Sequence, residues 1–527
     1  MDWFENGWGL SLIVFLPILG AVVAMVIPKD RESTVKQWSL LVAVVTFILS
    51  LVVAFDFDLG SASEYQYETN LPWISSIGAN YHVGVDGISL PLLVLSTFIT
   101  VLAIIYSWDH WEEPRNPKAF LILMLILATG MNGTFVALDL VLFFIFFEVV
   151  LLPMYFMIGI WGDKSMRSLP GFGGEIPTRL YAAIKFFLFT LFGSAFMLLG
   201  FLALYFKSGD FGTRTFDIPT LASYGGAGQF AGWGIAGLVF GAMFLGFAVK
   251  VPMWPLHTWL PDAHTEAPTV GSVLLAGILL KMGTYGFVRI ALPVLPYGAE
   301  RYAPWIGLLA AIAIVYAALA CLAQKDLKRL IAFSSVGHMG FVMLGIATLT
   351  PIGINAAIFG MVAHGVITGM LFFCVGSVYD RYHTRQIAEL GGGLMQKLPY
   401  LGGVFAFVAI ASLGLPGLAG FWGEVMALLS SYQPAPMLDT ALFRGFMVAG
   451  GIGTILTAGY FLWMIQRVNM GTVPEKWRDS PFPDIVSVEW ISWVPLLVAI
   501  VALGLFPRLL IGITDGPVDA LMSLFAG

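Results

Sequence analysis

Glu148 follows the run Leu142-Phe-Phe-Ile-Phe-Phe and precedes Val-Val-Leu-Leu, so a carboxylate stands among apolar neighbours on both sides. Lys185, Lys250, Lys281, His338, His364 and Glu424 share that setting. An ionisable group in hydrocarbon costs about 2.5 to 3.5 kcal/mol on insertion scales, and by default it marks an ion or proton path. Lys281 lies about a dozen residues from either end of its apolar stretch, roughly 18 Å of helix each way, which its stem cannot cover. It must face protein or internal water. Desolvation and an opposing carboxylate pull the pKa of a lysine or histidine in opposite directions, and such groups can exchange protons. Simpler readings exist for some of them. Lys250 would serve as the frayed end of a helix with its ammonium at the interface, and a lone intrahelical histidine is usually an interhelical hydrogen bond. Ser334, Ser335 and Thr368, within one turn of the histidines, are able to hold water.

Two of these charges adjoin helix breakers. Pro252 and Pro255 follow Lys250 and lead into the mildly apolar Leu256 to Pro261, while Gly414, Pro416 and Gly417 precede Glu424. Both patterns predict helices interrupted inside the membrane, where only a polar interior satisfies the freed carbonyls.

The elements that must position these groups are helices. The chain has 527 residues, 58% hydrophobic and 11% charged, with a mean hydropathy of +0.87. Those proportions exclude a soluble globular enzyme. The net charge of -6 and the lack of a basic tract exclude nucleic acid as a partner. A window of about 20 apolar residues places fourteen spans near 9–28, 38–55, 88–108, 119–137, 139–160, 180–206, 231–251, 268–292, 303–323, 329–349, 353–378, 399–430, 443–466 and 488–510. The junction between the fourth and fifth is short, at Met131-Asn132-Gly133-Thr134. The N-terminus carries Asp2 and Glu5, not a positive leader, and reads as a retained first helix. Most of the 26 Lys and Arg residues fall in odd-to-even connections, so both termini are expected on the non-cytoplasmic side.

The expected breaks lie in spans seven and twelve, which suggests a five-helix unit (119–292) repeated upside down (303–467). Residues 1–118 would supply three N-terminal helices and 488–527 a fourteenth. Glu148 pairs with His338, Lys185 with His364 and Lys250 with Glu424 in this scheme, while Lys281 has no counterpart. Cys321 and Cys374 read as packing residues. No phosphate-binding glycine motif follows a strand, and no Cys or paired-His pattern offers haem or iron–sulfur ligation. His257, Asp262, His264 and Glu266 read as a polar re-entry loop in preference to a metal site. No cofactor or metal is expected in this chain.

The stretch Lys250-Val-Pro-Met-Trp-Pro-Leu-His257-Thr-Trp-Leu-Pro261-Asp-Ala-His264-Thr-Glu266-Ala-Pro268 continues to Gly277-Ile-Leu-Leu-Lys281-Met-Gly-Thr-Tyr-Gly286-Phe. With Lys325-Asp-Leu-Lys-Arg-Leu-Ile-Ala-Phe-Ser334-Ser335-Val-Gly-His338-Met, it resembles the antiporter-like membrane subunits of respiratory complex I. Among these it looks most like the subunit M family, the counterpart of mitochondrial subunit four, because Glu424 stands where the sister subunits carry lysine. The length agrees, since the distal sister adds a long lateral helix and this chain ends soon after span fourteen.

The resemblance implies a fourteen-helix inverted repeat in the bacterial inner membrane and a proton channel of two half-channels. Glu148 would pair with Lys250, which hands protons through Lys281 and the histidines toward Glu424. Lys185 and Glu112 match charged family positions. NADH, FMN, iron–sulfur clusters and quinone belong to partner subunits in this reading, and the sister antiporter-like subunits are the expected neighbours. The alternative is a large subunit of a multisubunit sodium/proton antiporter, whose subunits share the fold and the lysines. A purely structural scaffold fits least well, because leucine would avoid the insertion cost of each central charge.

Overall fold

The computed structural model describes residues 8–111, 114–168 and 175–525. Glu112, Asp2 and Glu5 lie outside them. The chain opens with α1 (Gly9–Val26) and α2 (Glu32–Asp56), followed by an antiparallel hairpin of β1 (Gln66–Ile74) and β2 (Ala79–Val85) that the hydropathy pattern did not reveal. Then come α3 (Ser89–Tyr106), α4 (Pro117–Val136), α5 (Leu140–Val149), α6 (Leu151–Trp161), a short pairing of β3 (Met166–Ser168) with β4 (Glu175–Pro177), α7 (Thr178–Ser208) and α8 (Ile218–Gly226). The junction expected at Met131–Thr134 lies inside α4. The chain leaves helix at Ala137, and Asp139 then caps α5 by accepting from the Val141 and Leu142 N–H groups. Pro153 has no N–H and crowds the carbonyl of Val149, which accounts for the bend between α5 and α6, just after Glu148.

The interrupted span seven consists of α9 (Ala236–Lys250), non-helical residues 251–258 and α10 (Trp259–Glu266). Pro252 and Pro255 both fall in the gap. Span eight is α11 (Thr269–Leu274), a π-turn (Leu275–Leu279), α12 (Leu280–Gly286), a second π-turn (Phe287–Ala291) and α13 (Leu292–Val294). Next are α14 (Pro296–Leu322), α15 (Leu327–Ala347), α16 (Pro351–Tyr382), and the short α17 (Ile387–Leu390) and α18 (Leu394–Lys397). The interrupted span twelve is α19 (Pro399–Ser412), residues 413–418 and α20 (Ala419–Tyr432), with Gly414, Pro416 and Gly417 in the gap. The chain ends with α21 (Thr440–Val468), α22 (Glu475–Arg478), α23 (Ser487–Leu505) and a helix that sequence reading did not foresee, α24 (Arg508–Met522).

Among the described residues, twelve helices are long and apolar enough to cross a membrane; α9 and α19 are shorter apolar helices. The segment Thr269–Val294 is wholly enclosed by other helices, whereas α2, α7, α21 and α23 turn most of their surface outward. The protein is thus built around α11–α13 and α16, and Lys281 and His364 belong to this enclosed pair. The polar re-entry loop expected at His257–Glu266 is a half-helix from Trp259 onward. Pro261 sits in the first turn of α10, where its missing N–H costs nothing.

Candidate functional site

Lys281 is fully buried on α12, between the two π-turns. Such turns widen the backbone ladder and recur at functional positions. The Ala276 carbonyl, inside the first of them, accepts from the Lys281 ammonium. The same Nζ lies 2.6 Å from His364 Nδ1 on α16. The His364 ring stands 5.8 Å from that of His338 on α15. His338 Nδ1 is 2.9 Å from Glu424 Oε1 on α20, and its Nε2 is 3.1 Å from the Ser412 hydroxyl at the end of α19. Four titratable groups from four elements therefore run in one line: Lys281, His364, His338, Glu424.

A small cavity adjoins the second half of this line, with His338, His364, Thr368, Ser412, Gly420 and Glu424 in its lining. His364 Nε2, Thr368 Oγ1 and Glu424 Oε2 are buried there without a protein partner. Buried polar atoms of this kind are satisfied by water, which needs several polar partners at once. Gly414, in the break, packs against Glu424: its φ is +84°, and a Cβ there would come within 3.2 Å of Glu424 Oε2. The break thus supplies both the bend and the space for the carboxylate.

In the first half, Lys250 ends α9 and is 1% exposed. Its Nζ donates to the Phe147 carbonyl at 3.4 Å and sits 4.5 Å from the centre of the Phe147 ring. Glu148, the next residue, faces Ser194 and is the carboxylate whose field acts on Lys250. Its Oε1 is buried with no protein partner. The pair is adjacent without a direct ion contact.

Lys185 does not join this line. Its Nζ lies 2.7 Å from Asp262 Oδ2 on α10, and Arg329 reaches the other oxygen at 3.5 Å. Reading the 257–266 segment as a polar loop passed over three buried groups. His264 is fully buried, stacks on Phe372 with ring centres 4.7 Å apart, and has both ring nitrogens unpartnered. His257 Nδ1 is likewise buried and unpartnered. Pro261, followed within one turn by Asp262 and His264, was the available signal of a helix start. Among the described residues no group of three or more His, Cys, Asp or Glu side chains is arranged to hold a metal.

Residues 137–449 match the family described as NADH:quinone oxidoreductase/Mrp antiporter, TM, and residues 11–134 match NADH-ubiquinone oxidoreductase chain 4, amino terminus. NADH-quinone oxidoreductase subunit M of Rhodobacter capsulatus is 43% identical over 95% of this chain and 93% of its own length. NADH-ubiquinone oxidoreductase chain 4 of Arabidopsis thaliana is 37% identical over 96% of this chain and 95% of its own. A chain of respiratory complex I from Thermus thermophilus with bound NADH superposes with a TM-score of 0.83 at 28% identity, covering 98% of this chain and all of that one. A chain of the Mrp complex from Dietzia shares the fold, with a TM-score of 0.79 at 20% identity, covering 98% and 99%. An enclosed Lys–His–His–Glu line between two broken helices, in a chain alike over nearly its whole length to these relatives, makes it a member of the subunit M/chain 4 family of NADH:quinone oxidoreductases.

Proposed function

We propose that this chain is a proton-translocating membrane subunit of an NADH:quinone oxidoreductase, moving protons through buried side chains while the redox chemistry takes place in partner subunits. The observation that carries the reading is the line Lys281–His364–His338–Glu424, with contacts of 2.6 and 2.9 Å at its ends and a cavity beside its second half. Glu148 and Lys250 are the entry pair of the first half. When the Glu148 charge is removed or moved, Lys250 loses the field that favours its ammonium and releases a proton toward Lys281. Moving one proton against 100 mV takes about 2.3 kcal/mol, within what the loss of one buried neighbouring charge supplies.

The reading includes fourteen spans with two inverted five-helix units, both termini on the non-cytoplasmic side, a bacterial inner membrane and sister antiporter-like subunits as neighbours. It holds no cofactor in this chain; NADH, FMN, iron–sulfur clusters and quinone belong to the partners. The sodium/proton antiporter alternative is the weaker one, since the Mrp chain is 20% identical where the subunit M relative is 43%.

The test is proton pumping by assembled complex in vesicles. Glu148→Gln and Lys250→Ala are expected to abolish most NADH-driven acidification while the complex still assembles. Normal pumping by either assembled variant overturns the reading. Copurification in mild detergent with quinone-reducing polypeptides supports the complex I assignment, and with small antiporter subunits it reverses the ranking.

A further inference from the structure

Two pairs of opposite charge lie in tandem beside α7, Glu148 with Lys250 and Asp262 with Lys185, and only the first has a role in the relay. Lys185 is about 10 Å into α7 from its start at Thr178, and Ser194, which faces Glu148, is about 13 Å further on at 1.5 Å per residue. Lys185 is therefore too far from Glu148 to be its cation. It is held by Asp262, with the side chains 18% and 10% exposed. Its Nζ also lies 5.7 Å from the Tyr181 ring and 6.0 Å from the Phe189 ring. The pair lies toward the face that carries Arg329 and Arg385. His257, in the gap between Lys250 and α10, feels the Lys185 charge.

Asp262 is not needed to fasten α10. Glu266 accepts from Thr178 at 2.6 Å, the Thr265 carbonyl accepts from Arg385 at 2.7 Å, and the Ala267 carbonyl accepts from Lys328. These three contacts already tie down the end of the half-helix. What Asp262 alone does is neutralise a half-buried ammonium between the basic face and Lys250. An unpaired charge at that depth repels an incoming proton, and its field is poorly screened in low dielectric.

We propose that Asp262 is a positioning residue for proton entry: it holds the Lys185 ammonium and keeps an uncompensated positive charge off the path from the basic face to Lys250. The proposal rests on the reading that Glu148 and Lys250 carry protons. It fails separately from that reading, because it concerns only how Asp262 and Lys185 depend on each other.

The experiment is a double-variant cycle in assembled complex, reading both the yield of complex and the pumping rate per complex. Asp262→Asn is expected to lower pumping at least about fivefold while Lys185 is present, the lower range for charges in contact, and less than about twofold in a Lys185→Met background. Asp262→Glu restores pumping, which a merely structural carboxamide defect would not predict. A variant that fails to assemble still enters the cycle through yield, where the same dependence on Lys185 is expected. An equal effect of Asp262→Asn in both backgrounds, by either readout, or a failure of Asp262→Glu to restore pumping, overturns the proposal.

Discussion

His338 Nδ1 lies 2.9 Å from Glu424 Oε1, and the ring bridges the break between α19 and α20, because Ser412 on the near side of the break holds the other ring nitrogen at 3.1 Å. If Nδ1 donates to the carboxylate, Nε2 must accept from the Ser412 hydroxyl, so one tautomer satisfies both neighbours. A protonated ring keeps both contacts, with the Ser412 hydroxyl turning to accept from Nε2–H. His338 can therefore pass a proton to Glu424 with little rearrangement. Glu424→Gln removes the acceptor while keeping the shape, and is expected to lower pumping by at least about tenfold, in the range for loss of a positioned acid or base. Dye-monitored acidification in vesicles measures it, with quinone reduction recorded in parallel. A Glu424→Gln complex that pumps normally would mean that the line ends before Glu424.

The members of the Lys281–His364–His338–Glu424 line were legible in the sequence because burying a charge is costly and so conspicuous in an apolar run. Lys281, His364, His338 and Glu424 needed only hydropathy to be singled out, and Pro252, Pro255, Gly414 and Gly417 announced the breaks by their backbone chemistry. Lys185 was singled out on the same ground, but a hydropathy window carries no information on which carboxylate faces a lysine across helices. Asp262 and His264 were noticed but read as a polar loop, because a short helix with polar residues on every turn has no apolar stretch to mark it as helix. The β1–β2 hairpin and α24 lie outside the long apolar runs for the same reason. Their positions follow from contacts with distant residues, such as the hydrogen bond from the Thr514 hydroxyl to Asn355 at 2.6 Å.

Gly414→Val tests the break directly. The residue adopts φ of +84°, and a side chain there would press on Glu424 Oε2. The left-handed backbone alone costs a branched residue about 1 to 2 kcal/mol. Displacement of the carboxylate is expected to reduce pumping as well, so the variant should lose both thermal stability and transport. A Gly414→Val complex that melts and pumps as the parent does would show that the turn relaxes at no cost.

Arg289 and Asp86 form a buried ion pair that ties the end of span eight to the start of α3, and the Arg289 side chain also donates to the Tyr285 and Tyr65 hydroxyls. Removing one partner leaves the other charge buried alone. Arg289→Ala is expected to destabilise the subunit by about 3 to 5 kcal/mol, whereas replacing both partners with apolar residues of similar volume costs much less. Thermal dissociation of the complex reads both. If the single and double variants lose equal stability, the pair acts through packing, not charge.

The hairpin outside the membrane carries a pH-dependent latch. His82 on β2 is 2.6 Å from Asp217 through Nδ1 and 2.7 Å from Glu68 through Nε2. Burial works against its imidazolium, but the hydrogen bonds and charges of the two carboxylates outweigh this and hold its pKa above the usual value. Burial likewise opposes the Asp217 anion, and the hydrogen bonds from His82 and Thr220 bring its pKa below the usual value. The signs then follow. The His82 contribution is fully present below about pH 6.5 and is lost as pH rises through the raised folded value; the Asp217 contribution is present above about pH 3.9 and is lost as pH falls through the lowered one. Docking of β1–β2 onto the segment before α8 is therefore tightest in mildly acidic solution. Amide exchange of the Thr69–Val83 ladder, corrected for intrinsic rates, should quicken between pH 6 and pH 9 (roughly, a range that brackets the raised histidine value). Asp217→Asn should flatten that rise by removing the stronger partner of the imidazolium. A ladder whose protection is the same across the range, or whose loss of protection survives Asp217→Asn, would show that β-pairing alone fixes the hairpin.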